Sequence, residues 1–176
     1  MENVRIVQQE VSAAAAMLDV LGEMAHGDEE TLSVFSLAQI VLRGAERHAK
    51  KADRNAVHLV LPQAAPEPKV FGSSSRLEQA IADLTEHALL QVPAGNSATW
   101  RVEPRGAESQ AILIWNRAPA TRSERLFTLT RGAHGEPPNA GLFLARLSIE
   151  SQGGTLTAEV EGDRVRAVAT LPVASE

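Results

Sequence analysis

Val4, Val7, Val11, Ala14, Leu18, Leu21 and Ala25 recur at intervals of 3, 4, 3, 4, 3 and 4. That spacing is the a/d seam of a helix that keeps one stripe against a partner helix. A second stripe, Ile6, Ala13, Met17 and Met24, flanks the seam, so the helix asks for more than one neighbour. A bundle completed by another chain or by a further helix meets that demand; packing on its own domain is the alternative. His26-Gly27-Asp28 ends the segment, Gly27 being suited to the left-handed residue beyond a last turn.

The period then alternates between helix and strand. Ser36-Leu37-Ala38-Gln39 has the hydroxyl and the amide of a capping box and predicts a helix to about Arg54, with Leu37, Ile40, Val41, Gly44 and Ala45 buried. Val57–Leu61 reads as a strand, and Pro62, Pro66 and Pro68 form a loop that cannot continue it. A second capping box, Ser75-Arg76-Leu77-Glu78, opens a helix buried along Leu77, Ala80, Ile81, Leu84 and Ala88 that stops before Pro93.

From Ser97 the period becomes two. Thr99–Glu103 and Ala111–Trp115 are predicted strands joined near Arg105-Gly106, with Trp100 and Trp115 in or beside the core. An irregular stretch from Asn116 to Asn139 precedes a helix over Ala140–Ser151, a Gly153-Gly154 turn, and a hairpin of Thr155–Glu161 and Arg164–Leu171. The order α, α, β, α, β, β, α, β, β predicts an α+β fold, a two-layer α/β sandwich with a mostly antiparallel sheet, rather than a doubly wound parallel one. Residues 1–30 form a helical arm and residues 31–176 the domain proper.

At 176 residues the chain has room for one domain and a short appendage. The net charge of −5 argues against a nucleic-acid or anionic-membrane surface, and the longest unbroken apolar run, Ala13–Leu18, is far short of a membrane span. The absence of cysteine removes disulfides, thiolate metal sites and a cysteine nucleophile together. No signal peptide is visible, and a cytoplasmic location is the default expectation.

With particular residues this order resembles the catalytic ATP-binding domain of sensor histidine kinases, the Bergerat-type fold shared with gyrase and the mismatch-repair ATPases. Leu77–Leu90 resembles the helix of the Asn-rich box, and Ile112–Ala120 the strand and turn of the first glycine box. Leu126-Phe127-Thr128-Leu129-Thr130-Arg131-Gly132 is similar to the phenylalanine-box helix. Gly141–Arg146 through Gly154 resembles the second glycine box and its helix, and Val4–Ala25 the second helix of the dimerisation hairpin. The resemblance covers nearly the whole chain and implies two-component or phosphorelay signalling, a homodimer through residues 4–25, and a signalling partner such as a receiver domain or kinase.

The departures decide what the resemblance implies about chemistry. In active relatives two Asn residues a helical turn apart face the nucleotide, the second holding magnesium; the matching positions here are Asp83 and His87. Imidazole is a softer ligand than the amide oxygen magnesium favours, and an aspartate beside a triphosphate repels it. The adenine-reading aspartate is matched by Asn116, which can still accept a hydrogen bond, without the charge that strengthens it. Ala118 and Ala120 stand where the first box has glycines, and Asn139 replaces a glycine of the second, leaving Gly141. The pocket Asp83, His87, Asn116, Ala118, Ala120, Arg131, Asn139 and Gly141 thus reads as vestigial, with no catalytic residue, no cofactor and no metal expected. The alternative is a divergent kinase that still takes ATP and magnesium, with Asn116 on adenine and Arg131 on phosphate.

No histidine has the setting of a phosphoacceptor, an acidic residue after it and proline five positions on. A histidine phosphotransferase, the third reading, has only His26 near the predicted bundle. Asp83 and His87, four apart, suit zinc if two further ligands converge. Arg117, Arg122, Arg125 and Arg131 make a basic island that fits an acidic partner, residual phosphate or a solvated loop. Arg47, Lys50, Lys51 and Arg54 read as macrodipole partners and surface. Walker, Gly-x-Ser-x-Gly and His-Glu-x-x-His patterns are absent.

Overall fold

A computed structural model describes residues 31–63, 69–117 and 140–174. The arm over 1–30, and with it His26, lies outside the described residues, as do Ala118, Ala120, the phenylalanine-box stretch with Arg131, and Asn139. The described chain runs β1 (Leu32–Ser36), α1 (Leu37–Glu46), α2 (Ala49–Arg54), β2 (His58–Val60), β3 (Lys69–Ser73), α3 (Ser74–Gln91), β4 (Ser97–Arg105), β5 (Glu108–Asn116), α4 (Ala140–Glu150), β6 (Thr155–Glu161) and β7 (Arg164–Pro172).

Five strands form one sheet in the order β2-β4-β5-β7-β6, antiparallel except for the β2–β4 pair. Alternation along each strand sends Ala98 and Trp100, Leu113 and Trp115, and Val165, Ala167 and Ala169 to one face, where they meet the helices in a single core. α3 packs against both α1 and α4 on that face. The predicted two-layer α+β sandwich is the observed architecture, and both tryptophans are buried in it.

Three local expectations need correction. β1 and β3, which the sequence reading left out, pair antiparallel as a separate two-stranded ribbon. The helix expected from Leu37 to Arg54 breaks at Arg47–His48; only Ala52 of α2 is buried, so no continuous apolar stripe holds one straight rod. α3 begins one turn-half earlier than its expected box, because Ser73 rather than Ser75 accepts from the Arg76 amide at 3.4 Å. The first box holds as expected: Ser36 Oγ accepts from the Gln39 amide at 3.2 Å.

Candidate functional site

α3 carries the chemistry. Its inward face is apolar, and its outer edge presents Gln79, Asp83, Glu86 and His87 at helical spacing. Basic residues of α1 and its extension reach across to that edge. Arg43 pairs with Glu78 at 3.3 Å, Lys51 with Glu86 at 2.6 Å, and Arg47 Nη1 donates to Gln79 Oε1 at 3.1 Å. Gln79 Nε2 donates in turn to Asp83 Oδ1 at 2.9 Å. Arg47 and Lys51 therefore bind neighbouring helices together, a role the macrodipole reading of them missed.

Burial dominates the titration of both matched positions. It pushes the Asp83 carboxyl up to about 6; the Gln79 hydrogen bond opposes this, Glu86 adds to it and Arg47 opposes it. Burial lowers the His87 imidazole to about 4. Glu86 is held below its ordinary value chiefly by its hydrogen bond from Lys51. His48 is lowered by burial, against the attraction of Glu86.

The His87 ring is fixed by two further residues. Trp115 Nε1 donates to Gln91 Oε1 at 3.0 Å, which leaves Gln91 Nε2 facing His87 Nε2 at 2.8 Å. An amide nitrogen has only hydrogens to offer, so His87 Nε2 is the acceptor and the ring proton sits on Nδ1. Trp115 also meets the imidazole edge-on, with ring centroids 6.3 Å apart and planes at 84°. The lone pair that would hold a metal is thus committed to Gln91. Among the described residues no group of three metal-binding side chains exists, so the zinc reading of Asp83 and His87 finds no further ligands there.

Of the remaining matched positions, Asn116 and Gly141 are described. Asn116, exposed, follows Trp115 at the end of β5, opposite Arg164 in β7. Gln152 Oε1, beyond α4, accepts from the Ser73 amide at 2.7 Å, so α4 starts far from the N-terminus of α3 and runs back along it. At about 1.5 Å per residue, α4 brings Gly141, its second residue, to the level of Asp83. Asp83 and His87 lie together on one edge of α3, and Asn116 adjoins that edge in the chain through Trp115, whose ring meets His87. Gln79 and Gln91, which the sequence reading did not select, complete that edge; their signal was the i, i+4 spacing to Asp83 and His87.

A cavity of about 300 Å³ lies elsewhere, on the open face of the sheet between Arg101, Ile112, Ile114 and Arg166. It shares no residue with the α3 edge. No described helix is long and apolar enough to cross a membrane.

An α/β sandwich with this helix-and-sheet order is the fold of histidine kinase catalytic domains. The chain superposes on the histidine kinase AdeS of Acinetobacter baumannii with a TM-score of 0.67 and 15% identity, over 99% of this chain and 82% of that one. It matches the nucleotide-free catalytic domain of histidine kinase ThkA at 0.70 and 15%, over 82% and 99%. Full-length ShkA, solved in complex with AMPPNP, matches at 0.75 and 16%, over 99% of this chain and 38% of that one. No protein-family model matches the sequence, and neither does any curated protein sequence.

Proposed function

We propose that this chain is a degenerate histidine-kinase-like module of two-component or phosphorelay signalling that keeps the fold as a scaffold and acts by binding other proteins. The observation that carries this reading is the engagement of His87. The position matched to the magnesium-holding residue is a half-buried neutral imidazole whose Nε2 accepts from Gln91, and magnesium is a hard cation that takes oxygen ligands. Asp83, raised to about 6, still carries negative charge at neutral pH beside the place a triphosphate would occupy.

In this reading residues 4–25 form a homodimer and residues 31–176 the scaffold. Matches to the isolated catalytic domain of ThkA span 82% of the chain, which supports that division. The partner is a signalling protein with an acidic face, such as a receiver domain, met by the basic island that begins at Arg117.

Calorimetric titration with ATP and magnesium tests the proposal, and no saturable binding in the micromolar range is expected. Saturable binding would establish the rival reading, a divergent ATP-binding kinase in which exposed Asn116 meets adenine. Acid-labile label on His26 after incubation with a phosphorylated receiver domain would instead favour a histidine phosphotransferase.

A further inference from the structure

The ribbon of β1 and β3 has an apolar outer face that none of the described residues covers. Leu32, Val34 and Phe71 are 54%, 53% and 50% exposed, and Val34 stands directly opposite Phe71 in the register. These side chains share one face of the ribbon. The other face turns Phe35 and Val70 toward the core. A strand pair apolar on both faces is made to be covered on both faces.

The chain itself supplies a segment of the right chemistry at the right place. Residues 1–30 end two positions before Leu32, and their second apolar stripe, Ile6, Ala13, Met17 and Met24, lies outside the heptad seam. The eight residue-to-residue steps from Met24 to Leu32 span at most about 28 Å, so the end of the stripe stays within reach of the ribbon. The tether makes the contact intramolecular and raises its effective concentration far above that of a free partner.

We propose that the outer face of the ribbon is the docking seat for the chain's own residues 1–30, through the stripe Ile6, Ala13, Met17 and Met24. The Val4–Ala25 seam then remains open to a second copy. Because β1 runs straight into the Ser36 cap of α1, the posture of the arm is coupled to the helix that packs on α3. The proposal rests on the helical reading of residues 1–30 and not on the state of the α3 edge, so ATP binding would leave it standing.

The absence of cysteine makes introduced thiols clean reporters. In the full-length chain, Phe71→Cys is combined with Met17→Cys or Met24→Cys and treated with a short bifunctional maleimide. Intrachain links are expected, with none when Arg101→Cys on the open sheet face replaces F71C. A link to the Arg101 position instead, or links only between chains, overturns the proposal. Alkylation of the single F71C variant should be slowed about tenfold relative to the same variant carrying Met17→Ser and Met24→Ser, as burial of two large apolar side chains supports. Equal rates overturn it as well. Val34→Cys repeats both measurements if F71C does not fold.

Discussion

His87 Nε2 accepts a hydrogen bond of 2.8 Å from the Gln91 side chain one helical turn on, and Gln91 accepts one of 3.0 Å from Trp115. The link runs from helix α3 to strand β5 through groups that are all half-buried or buried. Gln91→Leu leaves the Trp115 indole N–H and the His87 lone pair without this partner. The expected loss is roughly 1–3 kcal/mol of stability, measured by urea denaturation. Nitrogen NMR of the wild type at pH 6 should show His87 neutral with its proton on Nδ1, and the variant should lose that tautomer preference. A cationic His87 at pH 6 in the wild type would remove the argument that Nε2 is an acceptor.

Asp83 and His87 titrate in opposite directions, and their effects on stability oppose each other. Asp83 is raised from 3.8 to about 6, so its contribution is fully present below 3.8 and is lost as pH rises through 6. His87 is lowered from 6.5 to about 4, so its contribution is present above 6.5 and is lost as pH falls through 4. Between pH 4 and 6 the two slopes nearly cancel. Asp83→Asn should leave stability rising from pH 4 to 6.5, and His87→Asn should leave it falling from pH 4 to 6, each by on the order of 2 kcal/mol. Urea midpoints across that range check both, and slopes of the same sign in the two variants would contradict the assignment.

A second buried relay holds the middle of α3 to the sheet. Trp100 Nε1 donates to Thr85 Oγ1 at 3.0 Å, and Thr85 Oγ1 donates to the Ile81 carbonyl at 2.7 Å. Thr85→Val keeps the shape and removes the acceptor, so the fully buried indole N–H loses its partner at a cost of roughly 1–3 kcal/mol. In a Trp100→Phe background the same change should cost clearly less, because no donor is then stranded. Equal costs in the two backgrounds would mean the hydrogen bond contributes nothing.

The sheet and the long helices were legible because their signals are local. Alternation in Ser97–Arg105 and Arg164–Pro172, and the stripe from Leu77 to Ala88, each lie within one segment. The ribbon was not legible, since β1 and β3 are five residues each and pair across an intervening pair of helices and a strand. Three consecutive serines, Ser73–Ser75, offered three caps, and only the backbone geometry selects Ser73. Within the site, Asp83, His87 and Asn116 came from matching positions along the chain. The Gln91–Trp115 bond spans 24 residues, and no spacing rule joins its partners. The Arg47–Gln79 bond spans 32, so the reading of Arg47 as surface had no local signal against it.

Gly44 sets how closely α1 can lie against α3. A Cβ there would stand 2.7 Å from the Glu78 carbonyl oxygen and 2.9 Å from Ile81 Cβ. The first obstacle is helix backbone and cannot swing aside, so Gly44→Ala must push the helices apart. Alanine favours a helix interior by about 1 kcal/mol over glycine, while overpacking a filled contact costs about 1–3 kcal/mol. The net expectation is a destabilised protein, with the Arg43–Glu78 and Lys51–Glu86 pairs stretched as the helices separate. Gly95→Ala is the comparison, because nothing lies within 4 Å of its Cβ and its φ of 82° taxes alanine through the backbone alone. Charge screening separates the two. Added salt should weaken the wild type and the G95A variant equally, and the G44A variant less, since its ion pairs are already parted. A G44A variant as stable as the wild type, with unchanged salt dependence, would show that the α1–α3 contact tolerates a methyl group and that the close approach does not hold the α3 edge in place.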